Sequence, residues 1–267
     1  PKKELVQKIA SIGKSLEGRE LPVIHLSSAG TGKKVIWVSG GQHAREWIAP
    51  AAVMYVIDSL VNGYGLNDRI TKLLNSFEVV LAPTINPDGY EYSRTRFRYW
   101  RKNRRRNADG SFGVDLNRNW DIHWCELGAS RSPNSDIYCG AKAASEPEVY
   151  QTQVYIKGLN NRVAGLDIHS FGQMVLRNPG WSSIPTIEEA HLRGLGDTMS
   201  QAMNAVFGND YSSDLSSGLY PTGGSMDDWM FYGAGMPGFT VELRDHGQYG
   251  FLLPADQIVP TGQEVLA

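Results

Sequence analysis

Six histidines offer ring nitrogens to a cation, and context separates two of them from His25, His123, His191 and His246. His43 has Glu46 three residues on, at the predicted first turn of a helix, so both side chains can aim at one point. His169 emerges at the carboxyl end of a predicted strand over residues 163–168, the kind of position that His43 occupies after a strand over 34–38. Two nitrogens and one carboxylate from two strand ends make a three-ligand zinc site that leaves a fourth position for water. The chemistry of such a site is hydrolysis, because zinc lowers the pKa of bound water towards about 7 and polarises a carbonyl. Hydrolysis also needs a base, and Glu242 is the candidate: it interrupts the apolar run 239–243, where packing gives no reason for a charge. An ion pair with Arg244 on the same strand face is the competing explanation.

These groups need elements to hold them. Apolar periodicity alternates between helical and strand-like along the chain, the pattern of an α/β domain. It predicts a helix over 3–12, with Leu5, Val6, Ile9 and Ile12 on one stripe. A strand over 34–38 ends at Ser39, Gly40 and Gly41, and a helix over 46–60 follows. The next strand, 77–82, is stopped by Pro83 and an Asn86-Pro87-Asp88-Gly89 turn. A helix over 146–156, the strand 163–168, a helix over 187–206 and a strand over 238–243 complete the pattern. Ligands gather at the carboxyl edges of strands in open α/β sheets, which is where His43 and His169 fall. Repeats, low-complexity tracts and linkers are absent, so residues 1–267 read as one domain.

Composition narrows the function. A chain of 267 residues with 41% hydrophobic and 20% charged side chains can bury a large core, which rules out disorder. Its 26 basic and 28 acidic residues leave a net charge of −2, too nearly neutral for a sequence-independent grip on nucleic acid. The longest mainly apolar stretch, residues 47–61, contains Pro50 and Asp58 and falls short of the roughly 20 residues that cross a bilayer. No signal sequence opens the chain, so any targeting peptide is expected either to be gone already or never to have existed. The basic run 94–106, interleaved with aromatics, reads by itself as a solvated face or a local anion site. Cys125 and Cys139 flank a Gly/Ser/Pro/Asn-rich loop, and their spacing fits either a disulfide or two free thiols.

Five segments together resemble the zinc carboxypeptidases of the pancreatic A/B type: His43-Ala44-Arg45-Glu46-Trp47-Ile48, Asn86-Pro87-Asp88-Gly89, Asp115-Leu116-Asn117-Arg118-Asn119-Trp120, Asp167-Ile168-His169-Ser170 and Val241-Glu242-Leu243-Arg244-Asp245. They stand in that family's order and spacing and extend over nearly the whole chain. The resemblance implies a single α/β domain with a mixed, mostly parallel, roughly eight-stranded twisted sheet and helices on both faces. It implies one zinc ion on His43, Glu46 and His169, with Glu242 as the base and Arg101 as the group that stabilises the oxyanion. Asn117 and Arg118 match the pair that grips a terminal carboxylate, and Tyr220 matches the tyrosine that closes over the substrate. Arg45, Ser170 and Phe251 match contacts upstream of the scissile bond, although Phe171 stands where a tyrosine is common. The resemblance also implies a Cys125–Cys139 disulfide, secretion and a removed inhibitory pro-domain. Its partners would be peptide or protein C-termini, and a monomer is expected. A further helix is implied before residue 1 and another after 254–263, so the sequence reads as trimmed.

Specificity turns on one position. The spacing from Tyr220 to Glu242 matches that family's, so a gapless reading of the resemblance implies Asp227 on the pocket floor, where an acid favours C-terminal Lys or Arg as in the B-type enzymes. Aligning Gly223-Gly224-Ser225 instead shifts the floor to Met226 and an apolar preference. Gly180 and Leu215 match pocket-wall positions without the smaller or polar pattern of an unambiguous B-type pocket, which counts against Asp227. The residues around Cys125 and Cys139 resemble the B-type loop and favour Asp227. Related zinc amidases share the metal triad, but Asn117, Arg118 and Tyr220 make sense only for a terminal carboxylate. A non-catalytic zinc protein would lack Glu242 or Arg101, and both are present.

Overall fold

The computed structural model describes residues 3–267. Eight strands form one sheet in the order β1-β2-β4-β3-β5-β8-β6-β7. They are β1 (Val6–Lys14), β2 (Glu20–Leu26), β3 (Lys34–Gly40), β4 (Phe77–Ala82), β5 (Arg162–Ser170), β6 (Met174–Arg177), β7 (Ser212–Leu215) and β8 (Gly238–Leu243). The central strands β4, β3, β5 and β8 run parallel, whereas β2 and β6 join them antiparallel. All four carboxyl ends of the central strands therefore open on one rim, where His43, His169 and Glu242 were expected.

Alternation along these strands builds a core on each face. Val38, Val79, Leu81, Ile168 and Val241 face one apolar cluster together with residues of α1 (Ile48–Gly63), α5 (Glu189–Phe207) and α8 (Ile258–Leu266). Val35, Trp37, Val80 and Ala82 face the other, with Trp120, Trp229 and residues of α4 (Pro147–Gly158). Shorter helices are α2 (Asp68–Ser76), α3 (Pro87–Thr95), α6 (Ser216–Leu219) and α7 (Met226–Asp228).

Three expectations need correction. Residues 3–12 are not a helix: a single 3-10 turn, Lys3–Leu5, leads into β1. Ala10 and Ile12 turn inward at strand spacing while Ile9 is 73% exposed, so pairing with β2 overrides the helical stripe. The Asn86–Gly89 segment starts α3 rather than merely turning. Asn86 caps that helix by accepting from the Gly89 N–H at 2.9 Å, and Pro87 occupies the first turn, where its missing N–H costs nothing. Finally, α1 begins at Ile48, so Glu46 lies in the turn before the helix and not within it. The described chain ends in α8, which packs against α1.

Candidate metal centre and substrate pocket

Strand β3 delivers the chain to Gly40 and Gly41, and the turn that follows brings His43 and Glu46 to the carboxyl rim of the sheet. A Cβ at Gly41, where φ is +69°, would meet Thr84 Oγ1 at 2.9 Å, so the close turn requires glycine. On β5, His169 stands beside Glu242 of β8 as its register partner, and neighbours in a parallel ladder share a face. The candidate base and the candidate ligand thus face the same side of the sheet by construction.

The three predicted ligands meet. His43 Nδ1 lies 2.8 Å from Glu46 Oε1, and His169 Nδ1 lies 2.9 Å from Glu46 Oε2 and 3.1 Å from His43 Nδ1. All three are buried, and their donor atoms lie within 4.8 Å of one another. Two imidazole nitrogens directed at each other and at one carboxylate form a donor set that fits a zinc ion. The opposite ring nitrogens are tied down, His43 Nε2 to Asp115 Oδ1 at 3.1 Å and His169 Nε2 to Asp167 Oδ2 at 2.7 Å. Such carboxylates fix the ring orientation and raise ligand basicity. Burial opposes charging of Glu46, but the two imidazoles outweigh it and hold this carboxyl far below its ordinary range. For His169, burial is outweighed by Asp167 and Glu46, which hold the ring well above its ordinary value.

Glu242 differs from its neighbours. Its Oε2 is sealed from solvent and has no protein partner among the described residues. The competing ion pair with Arg244 is not formed, because the Arg244 guanidinium binds Glu264 of α8 instead, with Nε donating at 2.9 Å. Burial, opposed by His169 and Arg101, pushes the Glu242 carboxyl up to about 8. Arg101 reaches the same space. It donates from Nε and Nη2 to Asp115 Oδ2 at 3.1 and 2.8 Å, and its Nη1 stands 3.3 Å from His43 Nδ1. Asp115, buried beneath both, links the oxyanion candidate to a metal ligand. Burial acts to raise its carboxyl, and Arg101 and His43 override that to hold it low.

A small pocket beside this centre is lined by Asn117, Arg118, Tyr220, Asp227 and Glu242, among others. Arg118 is 3% exposed and has no ion pair among the described residues. Its Nε donates to the Gly128 carbonyl at 2.8 Å and its Nη1 to the Asn117 carbonyl at 2.7 Å. A buried guanidinium held only by neutral carbonyls is poised for an anionic ligand. Asn117 Oδ1 accepts from the Met226 N–H at 2.8 Å, which fixes the amide facing the pocket. Tyr220 is half exposed, with its ring 5.6 Å from the Arg118 guanidinium carbon.

Asp227 and Met226 part company. The Asp227 carboxylate lines the pocket and accepts from Ser216 Oγ at 2.7 Å. Met226 points to the opposite side, with its sulfur 3.5 Å from Ser39 Oγ, in the cluster with Trp37 and Trp120. Burial raises the Asp227 carboxyl above its ordinary value. Gly180 abuts this floor through its N–H, which donates to Asp228 at 3.0 Å, whereas Leu215 lines a neighbouring cleft. Upstream, the Arg45 guanidinium lies 4.3 Å from the Phe251 ring, and Phe171 packs edge-on against that ring at 5.0 Å. Ser170 donates its N–H to Glu46 Oε2 at 3.2 Å, while its hydroxyl is buried. Cys125 and Cys139 form a disulfide.

Asp115 and Asp167 carry no role in the sequence reading, although both lie inside the motifs quoted there. Asp167 could have been found: two residues before His169 on a strand, it shares that side chain's face. Nothing local pairs Asp115 with His43, 72 residues away.

A buried site of two imidazoles and one carboxylate, at the carboxyl rim of a mixed sheet and next to an unpartnered glutamate, defines the class of zinc-dependent peptide hydrolases. The zinc carboxypeptidase profile matches residues 2–267, and the chain belongs to that family. It is 40% identical over 262 residues to carboxypeptidase B of Astacus astacus, covering 96% of this chain and 85% of that one. It is 36% identical over 263 residues to carboxypeptidase A1 of Bos taurus, covering 98% of this chain but only 62% of the bovine protein. The solved structure of thrombin-activatable fibrinolysis inhibitor superposes with a TM-score of 0.95 at 35% identity, covering 99% of this chain and 67% of that one.

Proposed function

We propose that the protein removes single residues from peptide C-termini, with preference for Lys and Arg. The observation that carries this reading is the pocket itself, in which an anion-seeking Arg118 and an acidic Asp227 lie together beside Glu242. A C-terminal basic residue presents one group to each: its α-carboxylate to Arg118 and Asn117, its side-chain cation to Asp227. An apolar side chain would leave Asp227 buried and unpaired.

His43, Glu46 and His169 would hold zinc, which when bound polarises the scissile carbonyl and acidifies water. Glu242, in its ionised form and with a free Oε2, takes one proton as the water oxygen bonds to the carbonyl carbon. It passes that proton to the amide nitrogen as the C–N bond breaks, so the amine leaves neutral. Arg101, fixed by two hydrogen bonds to Asp115, directs positive charge at the oxygen that becomes anionic. Asn117 and Arg118 hold the terminal carboxylate, and Tyr220 closes over it from an exposed loop. Arg45, Ser170 and Phe251 border the upstream peptide.

The disulfide suits an oxidising, extracellular compartment, and secretion as a monomer released from an inhibitory pro-domain follows from the family's habit. No helix among the described residues is long and apolar enough to cross a membrane. The test compares one peptide ending in Arg with its C-terminally amidated form, with and without chelator. Cleavage of the free acid alone, abolished by chelator, supports the reading; equal cleavage of both forms rejects it.

A further inference from the structure

The disulfide-closed loop does more than tie Cys125 to Cys139. Gly128 within it supplies the carbonyl that accepts from Arg118 Nε at 2.8 Å. Immediately before it, the Leu127 carbonyl accepts from the Gly223 N–H at 3.0 Å, in the loop that carries Tyr220. Gly224 N–H donates to the Ile122 carbonyl at 2.9 Å, and the Gly224 carbonyl accepts from Trp120 N–H at 3.1 Å. One backbone seam therefore joins the guanidinium and the tyrosine loop.

Three glycines make the seam possible. A Cβ on Gly128 would lie 2.1 Å from the Pro221 carbonyl oxygen and 2.8 Å from Thr222 Cα. On Gly223 it would lie 2.2 Å from the His123 carbonyl oxygen, and on Gly224 2.5 Å from that of Arg118. Each obstacle is backbone, which cannot swing aside as a side chain can, and φ at Gly128 is +60°. The hydrogen bonds that orient the Arg118 guanidinium go to two neutral carbonyls, so displacing the Gly128 carbonyl frees one side of its fork.

We infer that Gly128 is a positioning residue for the carboxylate clamp, holding Arg118 and the Tyr220 loop in register through the disulfide loop. The inference rests on the terminal-carboxylate reading of Arg118. A terminal carboxylate is bound alike before and during bond cleavage, so loosening its clamp raises KM and leaves kcat in place.

The experiment measures Gly128→Ala on a blocked dipeptide ending in Arg, with the amidated dipeptide as competitive inhibitor. KM for the free acid is expected to rise about tenfold, with kcat within about twofold of wild type and amide affinity unchanged. A merely structural defect would lower kcat or weaken acid and amide together. An unchanged KM, or parallel loss for both ligands, overturns the proposal. Cys125→Ser/Cys139→Ser, which opens the loop without adding an atom to the seam, must raise the same KM. If Gly128→Ala does not fold, that double variant decides, and an unaltered KM in it is equally fatal. The wild-type comparison of acid with amide is read separately, so failure of the clamp reading shows there first.

Discussion

Replacing Asp227 with alanine removes the acidic side chain that the proposed function sets against a basic substrate residue, and leaves Glu242 in the same pocket. In the protein Asp227 is 2% exposed and faces only neutral donors, Ser216 Oγ at 2.7 Å together with Ser225 and the Asp228 N–H. A cation entering the pocket gives up its water, and only a facing carboxylate compensates. Removing one partner of a buried charge pair costs about 3–5 kcal/mol, which is on the order of 10²-fold to several times 10³-fold in kcat/KM. The same substitution leaves an apolar substrate side chain without that loss and removes a buried carboxylate that it could not satisfy. Activity towards C-terminal Leu is therefore expected to stay within about tenfold or to rise. The assay is a pair of steady-state kcat/KM measurements on blocked dipeptides that differ only in ending in Arg or Leu. Met226→Ala serves as the contrast, since its sulfur packs against Ser39 away from the pocket. Equal losses on Arg and Leu for Asp227→Ala would refute the assignment of this side chain to the pocket floor.

Two further predictions concern the frame that carries the site. Burial pushes the Glu148 carboxyl from 4.5 up to about 7, so the native state binds a proton that the unfolded chain releases. Its stabilising contribution is complete below pH 4.5 and is lost as pH rises through 7, amounting to ~3 kcal/mol by pH 8. Urea unfolding at pH 5 and pH 8 should therefore show Glu148→Gln less sensitive to this change than wild type; identical pH slopes would contradict the account. Glu264 is fully buried and accepts from Arg244 and from the Tyr211 hydroxyl, the latter at 2.9 Å. Glu264→Ala leaves that guanidinium with Gln257 but without its carboxylate next to α8, at a cost of about 3 kcal/mol, and should lower Tm by roughly 6 °C. A Tm unchanged in calorimetry would show that the pair contributes nothing to docking α8.

Legibility from sequence followed the range of the interactions involved. Strands β4 and β8 match their expected bounds because mainly apolar runs that stop at Pro83 or start after Pro237 leave little choice. The edge region failed. Residues 3–12 carry both a helical and an alternating reading, and only pairing with β2 chooses between them. β2 itself escaped notice because Pro22 interrupts it, which a strand tolerates only where no ladder bond needs its N–H. The short strands β6 and β7, four residues each, have too few positions to show a period. His43, Glu46 and His169 were legible because strand ends and a three-residue spacing are local facts. The Asp115 contacts to Arg101 and His43 join segments 14 and 72 residues apart, and a pattern in one segment cannot reveal them. The choice between Asp227 and Met226 depended on which side of α7 faces the pocket, a matter of backbone direction that spacing alone does not resolve.

The lack of an acidic partner for Arg118 among the described residues bears, on the proposed function, on what would happen after each cut. Release of one residue would expose a fresh carboxylate on the shortened peptide, chemically the same as the group just let go. The proposed clamp would not tell the new end from the old, so trimming would continue until the next side chain failed to suit Asp227. The stopping point would then be written in the substrate, with the same punctuation mark read each time and only one letter before it.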